Sequence, residues 1–185
     1  MAPKLVDSQR LVYQFHDGSI QAVDAVRDSG DPITFGSDLS DIYSAAPVAG
    51  TYNTSLAKGL MRLGTSPVGV VTGDIRGDND GTLAYKDTAG GIHRKLVTEY
   101  GGLADPGDLD TTSYSTLDTA NNAVIGLYFD AEVNIDAAAD QAVRAISAWW
   151  SPNRVAKVVV GRITDPSAAA ADVVVASTDL VDQRH

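Results

Sequence analysis

Leu11-Val12-Tyr13-Gln14-Phe15-His16-Asp17-Gly18-Ser19-Ile20-Gln21-Ala22-Val23-Asp24-Ala25-Val26 holds the main signal for the architecture of this chain. The apolar run at 11–15 stops at His16-Asp17-Gly18, residues that favour a turn. A second run covers 20–26, and Asp28-Ser29-Gly30-Asp31-Pro32 breaks it before Ile33-Thr34-Phe35. The spacing predicts strand, turn, strand, turn, strand. Moving outward, Asp38 is placed to cap a short helix through Leu39, Ile42 and Tyr43, ended by Pro47 and Gly50. Two more strands are expected near 51–62 and 67–76, separated by Gly64-Thr65-Ser66-Pro67. Residues 1–76 therefore read as a β-rich region.

Residues 77–87 are dense in Asp and Gly and read as a linker loop, and 88–185 read as a mixed αβ region. Thr88 is suited to cap a helix through Ile92, Leu96 and Tyr100, with Gly101 and Gly102 as its stop. Asp110 is suited to cap a second helix carrying Tyr114 and Leu117. Val124-Ile125-Gly126-Leu127-Tyr128-Phe129 has apolar side chains on both parities, as a strand covered on both faces would. Asn134 and Asp136 open the most regular pattern, a helix over 135–150. Its buried face is expected to include Ala139, Ala142, Val143, Ile146, Trp149 and Trp150. Pro152-Asn153 turns the chain into a strand at 155–163. Residues 168–171 read as a linker and Val173-Val174-Val175 as a last strand. No internal repeat is present, and the fold class is α+β.

The 185 residues suit one ordinary domain or two small ones. Hydrophobic residues at 44% and charged residues at 21% lie near globular averages, which excludes a wholly disordered chain. No apolar window is long enough for a membrane span, and the first residues carry no secretory-type apolar run. The formal charge is −10. Glu occurs only at Glu99 and Glu132, so Asp dominates, and Asp favours caps and turns over helix interiors. This charge argues against a duplex as the main ligand, because phosphate binding needs clustered Lys and Arg. With no Cys, disulfides, thiol catalysis and Cys-ligated zinc are excluded.

Candidate chemistry is sparse. The stretch Gly73-Asp74-Ile75-Arg76-Gly77-Asp78-Asn79-Asp80-Gly81 resembles a calcium loop, but placing Gly81 at the sharp turn puts Arg76 where a carboxylate is needed. It reads as a solvated turn. Arg76-Gly77-Asp78 matches an adhesion tripeptide, a motif short enough to arise by chance. His16 falls at a turn, His93 beside Arg94 and Lys95 on what reads as a solvated helix face, and His185 at the end. No Gly-x-Ser-x-Gly elbow or phosphate-binding glycine loop accompanies them. No catalytic residue, metal or cofactor is expected. Trp149-Trp150 suits a sugar platform or, more simply, the end of a buried stripe.

Several blocks together resemble a family of large tail proteins of siphophages and prophages. They are Val12–Gly18 with Gln21–Val26, Gly50-Thr51-Tyr52 with Leu56–Gly64, and Val71–Asp78. Gly101–Pro106 with Asp108-Leu109-Asp110 follows, and Ile146–Trp150 before Val160-Gly161-Arg162 closes the series. Their order covers about residues 5 to 163. The resemblance implies a hub-like structural component of the tail tip or baseplate, in the virion, made in the bacterial host cytoplasm. Residues 1–76 would then be tail-tube-like. The expected partners are other tail proteins and, in the intact particle, two further copies in a trimer. Members of that family are several times longer, so the chain is expected to be a piece or a short relative, monomeric when isolated. The resemblance also implies an acidic lumen that lets DNA pass, to which Asp24, Asp28, Asp31 and Asp74 would contribute, and a tight turn at Arg76-Gly77-Asp78. An adhesive or carbohydrate-binding tail module is the alternative, and a hydrolase a further one.

Overall fold

The structure is a computed structural model and describes residues 1–129 and 131–163. Its first part is a curled seven-stranded sheet. The strands are β1 (Lys4–Asp7), β2 (Val12–Gln14), β3 (Ile20–Asp28), β4 (Asp31–Asp38), β5 (Thr51–Ser55), β6 (Leu60–Leu63) and β7 (Val71–Asp78). Their order is β1-β2-β6-β5-β4-β3-β7, antiparallel throughout except for the parallel β4–β5 pair. The curl brings the far edge, β7, to the start of the chain. Met1 and Gly73 exchange two hydrogen bonds of 2.8 Å. A side chain at Gly73 would collide with the Phe15 ring, about 2.5 Å from where its Cβ would lie. Glycine therefore lets the interior aromatic ring press on the edge strand. Tyr13, Phe15, Ile20, Val26, Tyr52, Met61, Leu63 and Val71 fill the inside of the curl.

The expected helix at 37–50 is absent. The side chain of Asp38 accepts from Thr54 Oγ1 at 2.7 Å and from the Leu56 N–H at 2.9 Å, so it locks β4 to β5 and caps nothing. Asp41 instead folds the following residues into a local turn by accepting from the Tyr43 N–H. Ile42 is buried from this irregular segment.

The second part holds α1 (Ala89–Lys95), which runs on as a π-type turn through Leu96–Tyr100, then α2 (Thr111–Ala120), α3 (Ile135–Arg144) and the hairpin β8 (Ala148–Pro152) with β9 (Val158–Arg162). The two expected caps are in place. Thr88 accepts from the Gly91 N–H, and Asp110 from those of Thr112 and Ser113. A separate core joins Val97, Leu109, Tyr114, Leu117, Ala139, Val143, Ile146, Val158 and Val160. The chain is thus α+β, with a β-rich part and an αβ part. No helix among the described residues is long and apolar enough to cross a membrane. The readings at 168–171 and 173–175 lie outside the described residues.

Two expectations in this part need correction. Residues 124–129 form no regular strand: Val124 makes one isolated bridge to Thr88, and Val124, Tyr128 and Phe129 are exposed. The helix expected over 135–150 ends at Arg144. Ser147 takes a left-handed conformation (φ 57°) and reverses the chain into β8. On a strand, adjacent side chains point to opposite faces. Trp150 therefore turns inward and donates its indole N–H to Asp140 at 2.7 Å. Trp149 turns outward, 44% exposed, resting over Gly161 of β9. Ala142, Val143 and Ile146 are buried, but Trp149 belongs to neither the helix nor the core.

Candidate functional site

Between the β7 edge, the α1–π-turn segment and residues 124–138 lies a cleft of about 820 Å³. Its apolar lining includes Ile92, Leu96, Leu127 and Val133, and the aromatic rings of Tyr85, Tyr100, Tyr128 and Phe129 also face it. A polar strip runs along β7. A bulge in β3 at Asp24 breaks the register and aims that carboxylate at Arg76. The guanidinium of Arg76 donates to Asp24 at 3.0–3.2 Å, and Arg27 donates to Asp74 at 2.7 Å. Arg76-Gly77-Asp78 lies within β7, not in the tight turn expected after a strand. Its arginine and aspartate are both engaged with neighbours, so the tripeptide is not presented as an adhesive loop would present it.

At the end of the strip the structure gathers groups far apart in sequence. Lys95, only 5% exposed, donates to the carbonyls of Asp80 and Ala84 and lies 3.5 Å from the Asp78 carboxylate. Tyr100 donates its hydroxyl to Asp78 at 2.6 Å. Burial, then this bond to a carboxylate, pushes the phenol well above its ordinary range. Asp80 accepts from the Ser19 hydroxyl and N–H, and these bonds hold its carboxyl below the usual range. One helical turn past Lys95, Glu99 accepts from the N–H groups of Leu83 and Thr82 and from the Thr82 hydroxyl. The Asp/Gly-rich segment is therefore clamped onto α1 and its extension by two side chains. It is no free linker.

His16, Asp78 and Asp80 bring potential ligand atoms within 4.8 Å of one another, a convergence that a reading of 73–81 alone misses. The Lys95 ammonium already offsets part of this charge from 3.5 Å off the Asp78 carboxylate, and a nitrogen donor is foreign to calcium's all-oxygen preference. Millimolar calcium, or a chelator, is expected to leave the melting temperature unchanged. A ligand at a hundredfold excess over its Kd would add about 2.7 kcal/mol, a rise that thermal denaturation would detect and that would establish a calcium site.

The four acids expected to face a lumen fall into two places. Asp24 and Asp74 line the cleft, each paired with an arginine. Asp28 and Asp31 sit opposite each other at the β3–β4 turn. There Asp28 accepts from the N–H groups of Val68 and Gly69, which hold its carboxyl low, while Asp31 is exposed. His93 also departs from expectation. It is fully buried, with Nδ1 2.9 Å from the Tyr114 hydroxyl and its ring edge-on to Trp150. Its neighbours point elsewhere: Arg94 pairs with Asp105 at 2.6 Å, and the buried Lys95 clamps the loop. Lys95, Glu99, Tyr100 and Tyr128 were not legible as site residues. The only local signal is the Lys95/Glu99 spacing one turn apart after the Thr88 cap. Comparison of the chain with protein-family models, with curated proteins and with solved structures finds no match.

Proposed function

We propose that this chain is a structural, non-enzymatic module of a bacteriophage or prophage tail tip or baseplate. On this reading it is made in the host cytoplasm, carried in the virion, and surrounded by other tail proteins and further copies of itself in a trimer. The observation that carries the reading is where the family-like blocks fall. Val12–Gly18, Gln21–Val26, Gly50-Thr51-Tyr52 with Leu56–Gly64, and Val71–Asp78 supply β2, β3, β5, β6 and β7 of one seven-stranded sheet, all of it but β1 and β4. A curled sheet with its edges drawn together suits a segment of tube wall, and the −10 charge suits a wall that does not hold DNA. The wall would carry alternating charge at Asp24–Arg76 and Asp74–Arg27, with Asp31 exposed at the β3–β4 turn. Deleting the coding sequence from the genome that carries it and imaging the particles tests this. Tails lacking tips, or no tails, are expected, whereas normal infectious particles would overturn it.

The aromatic-lined cleft favours a second reading, a carbohydrate-binding module of the tail tip, because exposed rings in a groove stack on sugar faces. Binding of host cell-wall saccharides that is lost on Tyr128→Ala would support it. Trp149, outside the cleft lining, is not part of this surface.

A further inference from the structure

We propose that His93 makes the αβ part an acid-labile unit, in which protonation of its imidazole opens the contact between α1, α2 and β8 while the seven-stranded sheet stays closed. His93 stands where three elements meet: its own helix, Tyr114 of α2 and Trp150 of β8. Its Nε2 is buried with no hydrogen-bond partner. A second proton would thus place a charge in a site that offers it no acceptor beyond the Tyr114 oxygen. The ionisable groups facing it are few. Tyr114 stays a neutral phenol, its pKa raised by burial. Asp140 of α3 attracts a proton to the ring, but its oxygens are taken by Trp150 and Arg144. Asp118 of α2 lies against Gly90, one turn away. Arg94 and Lys95 point to Asp105 and to the 80–84 loop.

Burial is the larger influence and lowers the imidazole pKa from 6.5 to about 4. Above pH 6.5 the closed and opened states both hold a neutral ring, so opening does not depend on pH. As pH falls from 6.5 toward 4, the opened state takes up a proton that the closed state refuses. Opening then becomes up to about tenfold easier per pH unit, roughly 300-fold across the window. The sheet part also holds a histidine with a buried, unpartnered Nε2, His16, and that nitrogen faces the Asp78 carboxylate at 3.8 Å. Asp28 and Asp80 have carboxyls held below the usual range, so most of their contribution survives this window and is lost as pH falls below it. The cores of the two parts are separate clusters, which allows one to open without the other.

Hydrogen exchange followed by mass spectrometry on the full chain between pH 7 and 4.5, corrected for intrinsic rates, reads both parts at once. Opening of peptides from α1, α2 and β8 is expected to rise steeply with acid, while β3 and β7 stay protected. Fluorescence reports the same part, since Trp149 and Trp150 are the only tryptophans. His93→Gln, which cannot take up the proton, is expected to flatten the acid slope. An unchanged slope in that variant, or equal opening of sheet and helices, would overturn the proposal. Should the variant not fold, an NMR titration of His93 in the unaltered protein decides. A neutral ring down to about pH 4 supports the proposal, and a folded-state midpoint near 6.5 ends it.

Discussion

Lys95→Met is expected to destabilise the protein by about 3 kcal/mol, measured by denaturant unfolding. Methionine keeps the length and most of the apolar stem but removes the ammonium. That leaves the carbonyls of Asp80 and Ala84 and the carboxylate of Asp78 without their shared donor in a site where Lys95 itself is 95% enclosed. Removing one partner of a buried, hydrogen-bonded charge costs about 3–5 kcal/mol. Here Asp78 still reaches some water and keeps the Tyr100 hydroxyl, so the low end applies. The loss should appear locally as well. With the clamp gone, amides at 79–86 should exchange faster, while Glu99 still holds Thr82 and Leu83. A cost below about 0.5 kcal/mol, the scale of surface changes, would mean that the ammonium is solvated and the loop holds itself.

The β-rich first part and the two helix caps were legible because their signals are local. Strand runs broken by Asp, Gly and Pro are written within a few residues, and Thr88 and Asp110 act on amides two or three positions away. What was not legible depends on distant partners. His93, Arg94 and Lys95 read alike as polar residues, yet helical geometry sends them in three directions. Only the tertiary neighbours decide that one meets Tyr114, one Asp105 and one the loop carbonyls. The 124–129 segment misled because its apolar residues divide between the αβ core, reached by Ile125, and an open cleft lined by Leu127, Tyr128 and Phe129. The joining of the sheet edges at Met1 and Gly73 spans 72 residues and leaves no pattern in either neighbourhood.

Ile146 and Trp149 provide a paired test of where the helical stripe ends. A helix through residue 150 would put both on one buried face, three positions apart. The turn at Ser147 separates them: Ile146 is 7% exposed against Val143, Val158 and Val160, and Trp149 is 44% exposed on the outer face of β8. Ile146→Ala should therefore cost about 2–5 kcal/mol, from lost burial and from the cavity left in a core that relaxes only in part. Trp149→Ala should cost about 1 kcal/mol or less, because its ring forfeits chiefly its contact over Gly161. The two costs must be clearly unequal. Equal losses of several kcal/mol by chemical denaturation would restore the continuous helix, and a negligible cost at Ile146 would put that face against solvent or a partner. The expected order, large at Ile146 and small at Trp149, requires the reversal at Ser147, and with it Trp150 held inward against His93 by its bond to Asp140.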